Sequence, residues 1–441
     1  MKKIISLILI LSTLRPGIRA QDRGIQFEQK LSWSQVLQKA TQEQKFIFMD
    51  CYATWCGPCK KMDLEVYPKQ WVGDYINTHF ISIKVQMDTG KDDAEFIKVW
   101  YANAQEIKRE YKVSKLPTYL FFSPNGIIVH RSSGAMTDSS FLALATDAMR
   151  PGTQYYSKIE QYTAGLIPYG EMPPLALEAS SNGDDHIAED ISKVYIRKYL
   201  DESNRDKLLA NVNIPFMKSP LFFTNLSSKD KVFSVMLANR PAMDSLVHYK
   251  GYVEFLVNRI INQEIINPAL KATDLFKGGN PDWAQLTKRI DRQYGRTCAE
   301  KIILDAKLRW YGKKEAWPLV VRYNMEKIEK YGLDTSGLGW LFTNNILYEI
   351  IFEHATDARV LLKAAKWMEL INHLHPDDAS DIDTYANLLY KAGKINEAMA
   401  WEEKAVNIDE EQAKKYNSNV DNSFRASLEK MKKNEPTWST H

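Results

Sequence analysis

The stretch "DCYATWCGPCKKM", Asp50 to Met62, limits what this chain can fold into more than any other. Three of the chain's four cysteines fall within nine residues of it. An apolar, aromatic-rich run, "KFIFMDCY", leads into it and reads as a buried strand. A helix begins at Cys56 and Cys59 and has to break near Pro68, which has no N–H to donate. A strand therefore hands over directly to a helix, with two cysteines at the junction.

Cysteines three apart at a helix start share one face. Cys56 is expected at the helix N-terminus, where backbone N–H groups are unpaired and the macrodipole is positive. A thiolate is stabilised there, so its pKa falls from the ~8.5 of a free thiol toward neutrality. Cys59 is expected deeper in the first turn and less exposed, able to swing onto Cys56 and release whatever it holds. Pro58 fits a first turn, where a missing N–H costs nothing. Half a zinc site would need a second cysteine pair or suitably spaced histidines, and the chain has neither; "HLH" at His373–His375 is isolated. A purely structural disulfide across so short a loop would stabilise little. Redox exchange is the reading the pattern favours. Cys51 falls on the opposite strand face from Asp50 and reads as a buried small hydrophobe, as does the solitary Cys298.

Around this junction the elements run helix, strand, helix, strand, helix, strand, strand, helix, a small mixed sheet covered by helices. Ser32 and Gln35 have capping-box spacing before the first helix. "PTYLFF" and "IIVHRS" are strands joined by the turn "SPNG". The last helix, "DSSFLALATDAM", takes Asp138 as its cap. The domain spans 25–150 and closes at "RPG", Arg150–Gly152. The remainder reads as helical: a helical domain over 151–296 and a second region over 297–441. In the latter, Ala364 and Ala398, like Trp367 and Trp401, stand 34 residues apart. "YANLLYKAGKINEAMAWEEKAVNID" has the small-residue pattern of a tetratricopeptide helix pair. Such pairs stack to leave a groove, here open to substrates or a protein partner.

With 58 basic against 55 acidic residues and a net charge of +3, nothing suggests a nucleic-acid or membrane footprint. The first twenty residues have the form of a signal peptide: Lys2 and Lys3, the apolar run "IISLILILSTL", and a cut after Ala20. A periplasmic or secreted protein is expected, in a compartment where disulfides persist. Four cysteines cannot frame a chain of 441 residues, so cysteine here is a reagent more than a staple.

Residues 25–150 resemble thioredoxin, and more closely the thioredoxin-like C-terminal domain of membrane thiol:disulfide interchange proteins. "DCYATWCGPCK" aligns with the family's active-site stretch, "KLPT" supplies Pro117, and Gly134 in "SSGA" matches the glycine of the following strand. The resemblance implies an α/β thioredoxin fold over these residues, and the helical patterning of the remainder adds an all-α, helical-repeat-like region after it. It implies Cys56 and Cys59 as a redox disulfide and Asp50 as a buried acid that holds a proton at neutral pH and serves Cys59. Pro117 would be a cis-proline facing the pair, and Trp55 would pack beside the site and shield Cys56. Gly57, Pro58 and Lys60 complete the active-site support. No cofactor beyond the cysteine pair and no metal is expected. Clients would be disulfide-containing exported proteins, and a membrane thiol donor would supply electrons. Gly-Pro between the cysteines is the pattern of the family's reducing members. The alternative is a non-catalytic scaffold that docks partners on the helical region.

Overall fold

The computed structural model describes residues 24–202, 213–273, 279–335 and 337–439. The expected leader through Ala20 lies outside them. The described residues form two compact units, one ending at Leu256 and one starting at Val257.

The first unit is built on a four-stranded mixed sheet of order β2-β1-β3-β4, with β1 Phe46–Tyr52, β2 Phe80–Gln86, β3 Thr118–Phe122 and β4 Ile128–Ser133. β1 pairs parallel to β2 and antiparallel to β3, and β3 runs antiparallel to β4. Strand alternation divides the core. Met49 and Cys51 face a layer with Val36 and Ala40 of α1 (Trp33–Glu43) and Ala104 and Ile107 further on. Phe48 faces the other layer, with Met62, Val72, Ile76 and Phe141. Apolar side chains fill both layers, with Asp50 the buried acid on the Phe48 side, and that burial holds β1 beneath the site.

The covering helices are α1, α2 (Gly57–Glu65), α3 (Gln70–His79), α4 (Glu95–Lys98), α5 (Tyr101–Glu110) and α6 (Asp138–Ala148). The capping box of α1 forms: the Ser32 hydroxyl accepts from Gln35 N–H, and the Gln35 side chain accepts from Ser32 N–H at 2.8 Å. The cap of α6 is Thr137, not Asp138; the Thr137 hydroxyl accepts from Ser140 N–H at 3.3 Å. Asp138 sits one place on, in the first turn, where its carboxylate pairs with Lys69 and suits the positive helix end. Gly73 of α3 lies so close to the Gly24 backbone that any side chain there would collide with it.

The turn at Arg150–Gly152 leads into α7 (Tyr155–Thr163), α8 (Met172–Ser181) and α9 (Asp185–Val194), which continue the same compact unit. α7 and α8 both pack on β4. The buried His130 of β4 accepts the Tyr155 N–H on Nδ1 at 2.7 Å.

The second unit is helical. Helices Trp283–Tyr294, Arg296–Lys313 and Trp317–Tyr331 pack each on the next, as do Ala358–Leu374, Ala379–Lys391, Ile395–Tyr416 and Asn422–Lys432. Ala364 and Ala398 are both fully buried, and Tyr385 meets Trp401 edge-on at 5.1 Å between ring centres. His375 stacks on Trp340, their ring centres 4.1 Å apart. Cys298 is half-buried rather than fully packed. Among the described residues no helix is long and apolar enough to cross a membrane.

Candidate active site

β1 ends at Tyr52 and the chain turns through Ala53–Trp55 into α2. Asp88, just past β2, fixes that turn: its carboxylate accepts the Thr54 N–H at 3.1 Å and the Thr54 hydroxyl at 2.5 Å. Cys56 is the N-cap of α2, with extended backbone angles, and Pro58 lies in the first turn. The Cys56 Sγ accepts the Cys59 backbone N–H at 3.1 Å. This is one of the orphan donors of a helix start, used here on sulfur where a capping oxygen usually sits. Cys56 and Cys59 are joined by a disulfide, with Cα atoms 5.3 Å apart. Gly57, Pro58 and Lys60 are exposed around the pair, and a Cβ on Gly57 would meet nothing within 4 Å.

In the disulfide-bonded state Cys56 is 2 % and Cys59 3 % exposed, so the expected difference in depth is absent. Both sulfurs lie under one cover, formed by Ala53, Tyr52 and Leu116. Trp55 is 72 % exposed, so neither the shield over Cys56 nor a place in the core falls to it. Its side chain leaves the turn outward, and Tyr52 and Leu116 take the shielding role. The Leu116–Pro117 peptide is cis, and Gly134, with φ +95°, donates its N–H to the Pro117 carbonyl at 2.9 Å. Only a residue without a Cβ adopts that backbone freely.

Asp50 is 1 % exposed. Burial pushes its carboxyl up to about 6, against the pull of Lys84. Lys84 Nζ lies 3.6 Å from Asp50 Oδ2 and also pairs with Asp63. The buried acid therefore ionises within the neutral-to-acid range. Burial raises it as expected, and the nearby ammonium limits the rise. Lys84 was not singled out from sequence, though it is the one charge in the strand "FISIKVQ". Tyr52 and Asp88 were likewise missed. Lys84 stands 4.7 Å from the centre of the Tyr52 ring, and both line a cavity of about 210 Å³ with Phe27, Gln86, Phe96 and Trp100. The segment after Asp88 builds one wall of that cavity through Phe96 and Ile97 of α4. Its Asp93 accepts from Gln86 at 2.7 Å and Tyr101 at 2.5 Å, and Tyr52 donates to Gln86 at 3.2 Å.

Cys51 lies on the other face of β1, fully buried, and burial raises its thiol well above the usual range. Among the described residues no group of three or more histidine, cysteine or acidic side chains is placed to hold a metal ion.

A cysteine pair at a strand-to-helix junction, covered by Leu116 of a cis-proline loop, with a buried acid on the strand that leads into it, is the arrangement of a thioredoxin-type site. Residues 33–148 match the model of the thioredoxin-like domain. Thioredoxin H-type of Fagopyrum esculentum is 30 % identical over 116 residues, 26 % of this chain and 84 % of that protein. The chain therefore belongs, through this domain, to the thioredoxin-like family. The thiol:disulfide interchange protein DsbD of Haemophilus ducreyi is 30 % identical over 119 residues, 26 % of this chain and 19 % of that protein. Thioredoxin-2 of Pyricularia oryzae is 26 % identical, and the chain spans only 43 % of its length and uses 21 % of its own. A solution structure from Bacteroides thetaiotaomicron, described provisionally as a disulphide-isomerase, is 34 % identical; the alignment covers 98 % of it and 30 % of this chain, at a TM-score of 0.25.

Proposed function

We propose that this protein is an exported thiol–disulfide oxidoreductase that reduces or isomerises disulfides in other exported proteins. The observation that carries the reading is the Cys59 N–H on Cys56 Sγ at a helix N-terminus, a donor aimed where thiolate charge would reside. In the reduced state the Cys56 thiolate attacks one sulfur of a client disulfide. That bond breaks, its electron pair leaves on the second client sulfur, and a mixed disulfide forms. Cys59, deprotonated, then attacks the Cys56 sulfur and expels the client's first sulfur as a thiolate. Two electrons have passed to the client, and Cys56–Cys59 is left as the disulfide. In isomerisation a client thiolate resolves the mixed disulfide instead, and the pair stays reduced.

Asp50 is the group that takes the Cys59 proton. A carboxyl raised to about 6 is poised to accept and return a proton near neutral pH. Cys56 and Asp50 are the catalytic pair with Cys59; Pro117, Gly57, Pro58 and Lys60 support the groove. Reduction needs a thiol donor to regenerate the pair, and a membrane electron carrier is the class that suits an exported protein. The names of the interchange protein and of the thioredoxins it resembles support exchange with protein disulfides. The stacked helices of the second unit, with their 34-residue echo, support a tetratricopeptide-like groove for a client or partner.

Insulin-disulfide reduction with dithiothreitol as donor tests the reading. Wild type should accelerate it at least tenfold over donor alone, and Cys56→Ser should not accelerate it at all. Equal rates for the two proteins would leave the scaffold reading in its place.

A further inference from the structure

The loop that carries Pro117 is held from outside the sheet. The Lys115 ammonium donates to the Ser180 carbonyl at 3.1 Å and to the Ser181 carbonyl at 3.0 Å. These are the last carbonyls of α8, where the negative end of the macrodipole lies; the Ser180 carbonyl also accepts the Gly183 N–H at 3.1 Å, so Lys115 shares it with the helix's closing turn. A cation is the natural partner for that helix end. The Ser133 hydroxyl, from β4, donates to the same Ser181 carbonyl at 2.9 Å. One residue on, Arg131, almost wholly buried, donates to the Asn182 carbonyl and to the Tyr111 carbonyl, each at 2.9 Å. The Asn182 amide returns a bond to the Arg131 carbonyl at 3.5 Å.

On its inner side the loop is equally fixed. The Thr118 hydroxyl donates to the Lys115 carbonyl at 2.7 Å, and Gly134 holds the Pro117 carbonyl at 2.9 Å. Between these anchors stands Leu116, whose side chain packs on Cys56 and Cys59. A shift of Lys115 therefore reaches the sulfurs through its immediate neighbour.

We propose that the C-terminal turn of α8 is a built-in clamp on the 115–117 loop, with Lys115 as the positioning residue that sets the groove beside Cys56 for an extended client segment carrying a disulfide. The inference rests on the exchange function above and specifies how it selects its clients. The C-terminal turn of α8, beyond the thioredoxin-like domain, thereby sets the position of a loop of its binding groove. An extended peptide gains affinity from main-chain contacts along such a loop, and a loop free to move loses that affinity before it loses chemistry.

The test compares full-length wild type, Lys115→Met and Lys115→Arg. Lys115 is exposed, so the substitutions leave the core intact. Two readouts are taken: amide hydrogen exchange at residues 114–116 and 118 in the oxidised proteins, and KM and kcat for insulin reduction. Lys115→Met should speed exchange at those amides about tenfold and raise KM about fivefold with a smaller change in kcat. Lys115→Arg, which can still donate to both carbonyls, should restore both. Wild-type exchange in Lys115→Met overturns the clamp; so does faster exchange with an unchanged KM, or a Lys115→Arg protein as impaired as Lys115→Met. Should wild type reduce no insulin, the exchange function fails by itself, and the clamp stands or falls on the exchange rates.

Discussion

Asp50 and Lys84 are lateral partners in the parallel pairing of β1 with β2, and the lysine ammonium lies 3.6 Å from the aspartate carboxylate. The carboxylate is nevertheless the costly member, since burial strips it of water and outweighs the ammonium's pull. With the folded carboxyl raised to about 6 from 3.8, the folded state holds its proton over a window where the unfolded chain has released it. Stability from this group is present below pH 3.8 and lost as pH rises through 6. Asp50→Asn should therefore stabilise the protein above pH 6 by about 3 kcal/mol, the equivalent of a shift of about two units. The gain should vanish toward pH 4. Urea unfolding of the two proteins at pH 4, 5, 6 and 7 measures it, and a gain independent of pH would contradict the assignment.

His130 works in the opposite direction. Burial holds its imidazole down to about 4, and Nδ1 accepts the Tyr155 N–H, so the folded state keeps it neutral. The unfolded state binds a proton first, so stability is lost as pH falls from 6.5 toward 4. His130→Asn should lose less stability than wild type on acidification across that window, by up to about 3 kcal/mol. The same unfolding series reads it, as a difference curve whose slope is opposite to that of Asp50→Asn.

Removing the counter-charge should move the acid itself. In Lys84→Met the attraction that lowers the Asp50 carboxyl is gone, and its titration should rise by about one unit or more. Carbon-13 NMR of the Asp50 carboxyl in both proteins decides this. An unshifted titration would mean that Lys84 serves Asp63 alone.

The junction itself was legible because each of its features is local. "KFIFMDCY", the cysteine pair and Pro68 fix strand, helix start and helix end within a few residues. The order of elements followed from periodicity in the same way, and so did the capping box at Ser32. What escaped was set by pairing at long range. Lys84 reaches Asp50 only through the register of two strands whose contact residues lie 34 places apart in sequence. Leu116 and Tyr52, which cover the sulfurs, carry no local signal that sets them apart from other apolar and aromatic residues. Trp55 misled because a large aromatic beside a cysteine suggests packing, whereas the turn held by Asp88 points it into solvent. The seating of α8 on Lys115 had no local signal, since helix-end carbonyls carry no side-chain signature.

Cys51 should be chemically silent despite its place five residues from Cys56. Its thiol is fully buried and raised well above the usual range, so thiolate is scarce and access is closed. Brief iodoacetamide treatment of the reduced protein at pH 7, read by peptide mass spectrometry, should label Cys56 and leave Cys51 unmodified until urea is added. Native labelling of Cys51 at a comparable rate would contradict its packing.

The most direct measurement takes reduced wild type and reduced Cys59→Ala, mixes each with a peptide disulfide, quenches in acid and weighs the intact proteins. Cys59→Ala should carry one peptide half per chain, bonded at Cys56, while wild type should carry none and be two hydrogens lighter than at the start. A Cys59→Ala protein that stays unmodified, or that carries the peptide on Cys51 or Cys298, would show that the attacking sulfur is not held at the tip of α2.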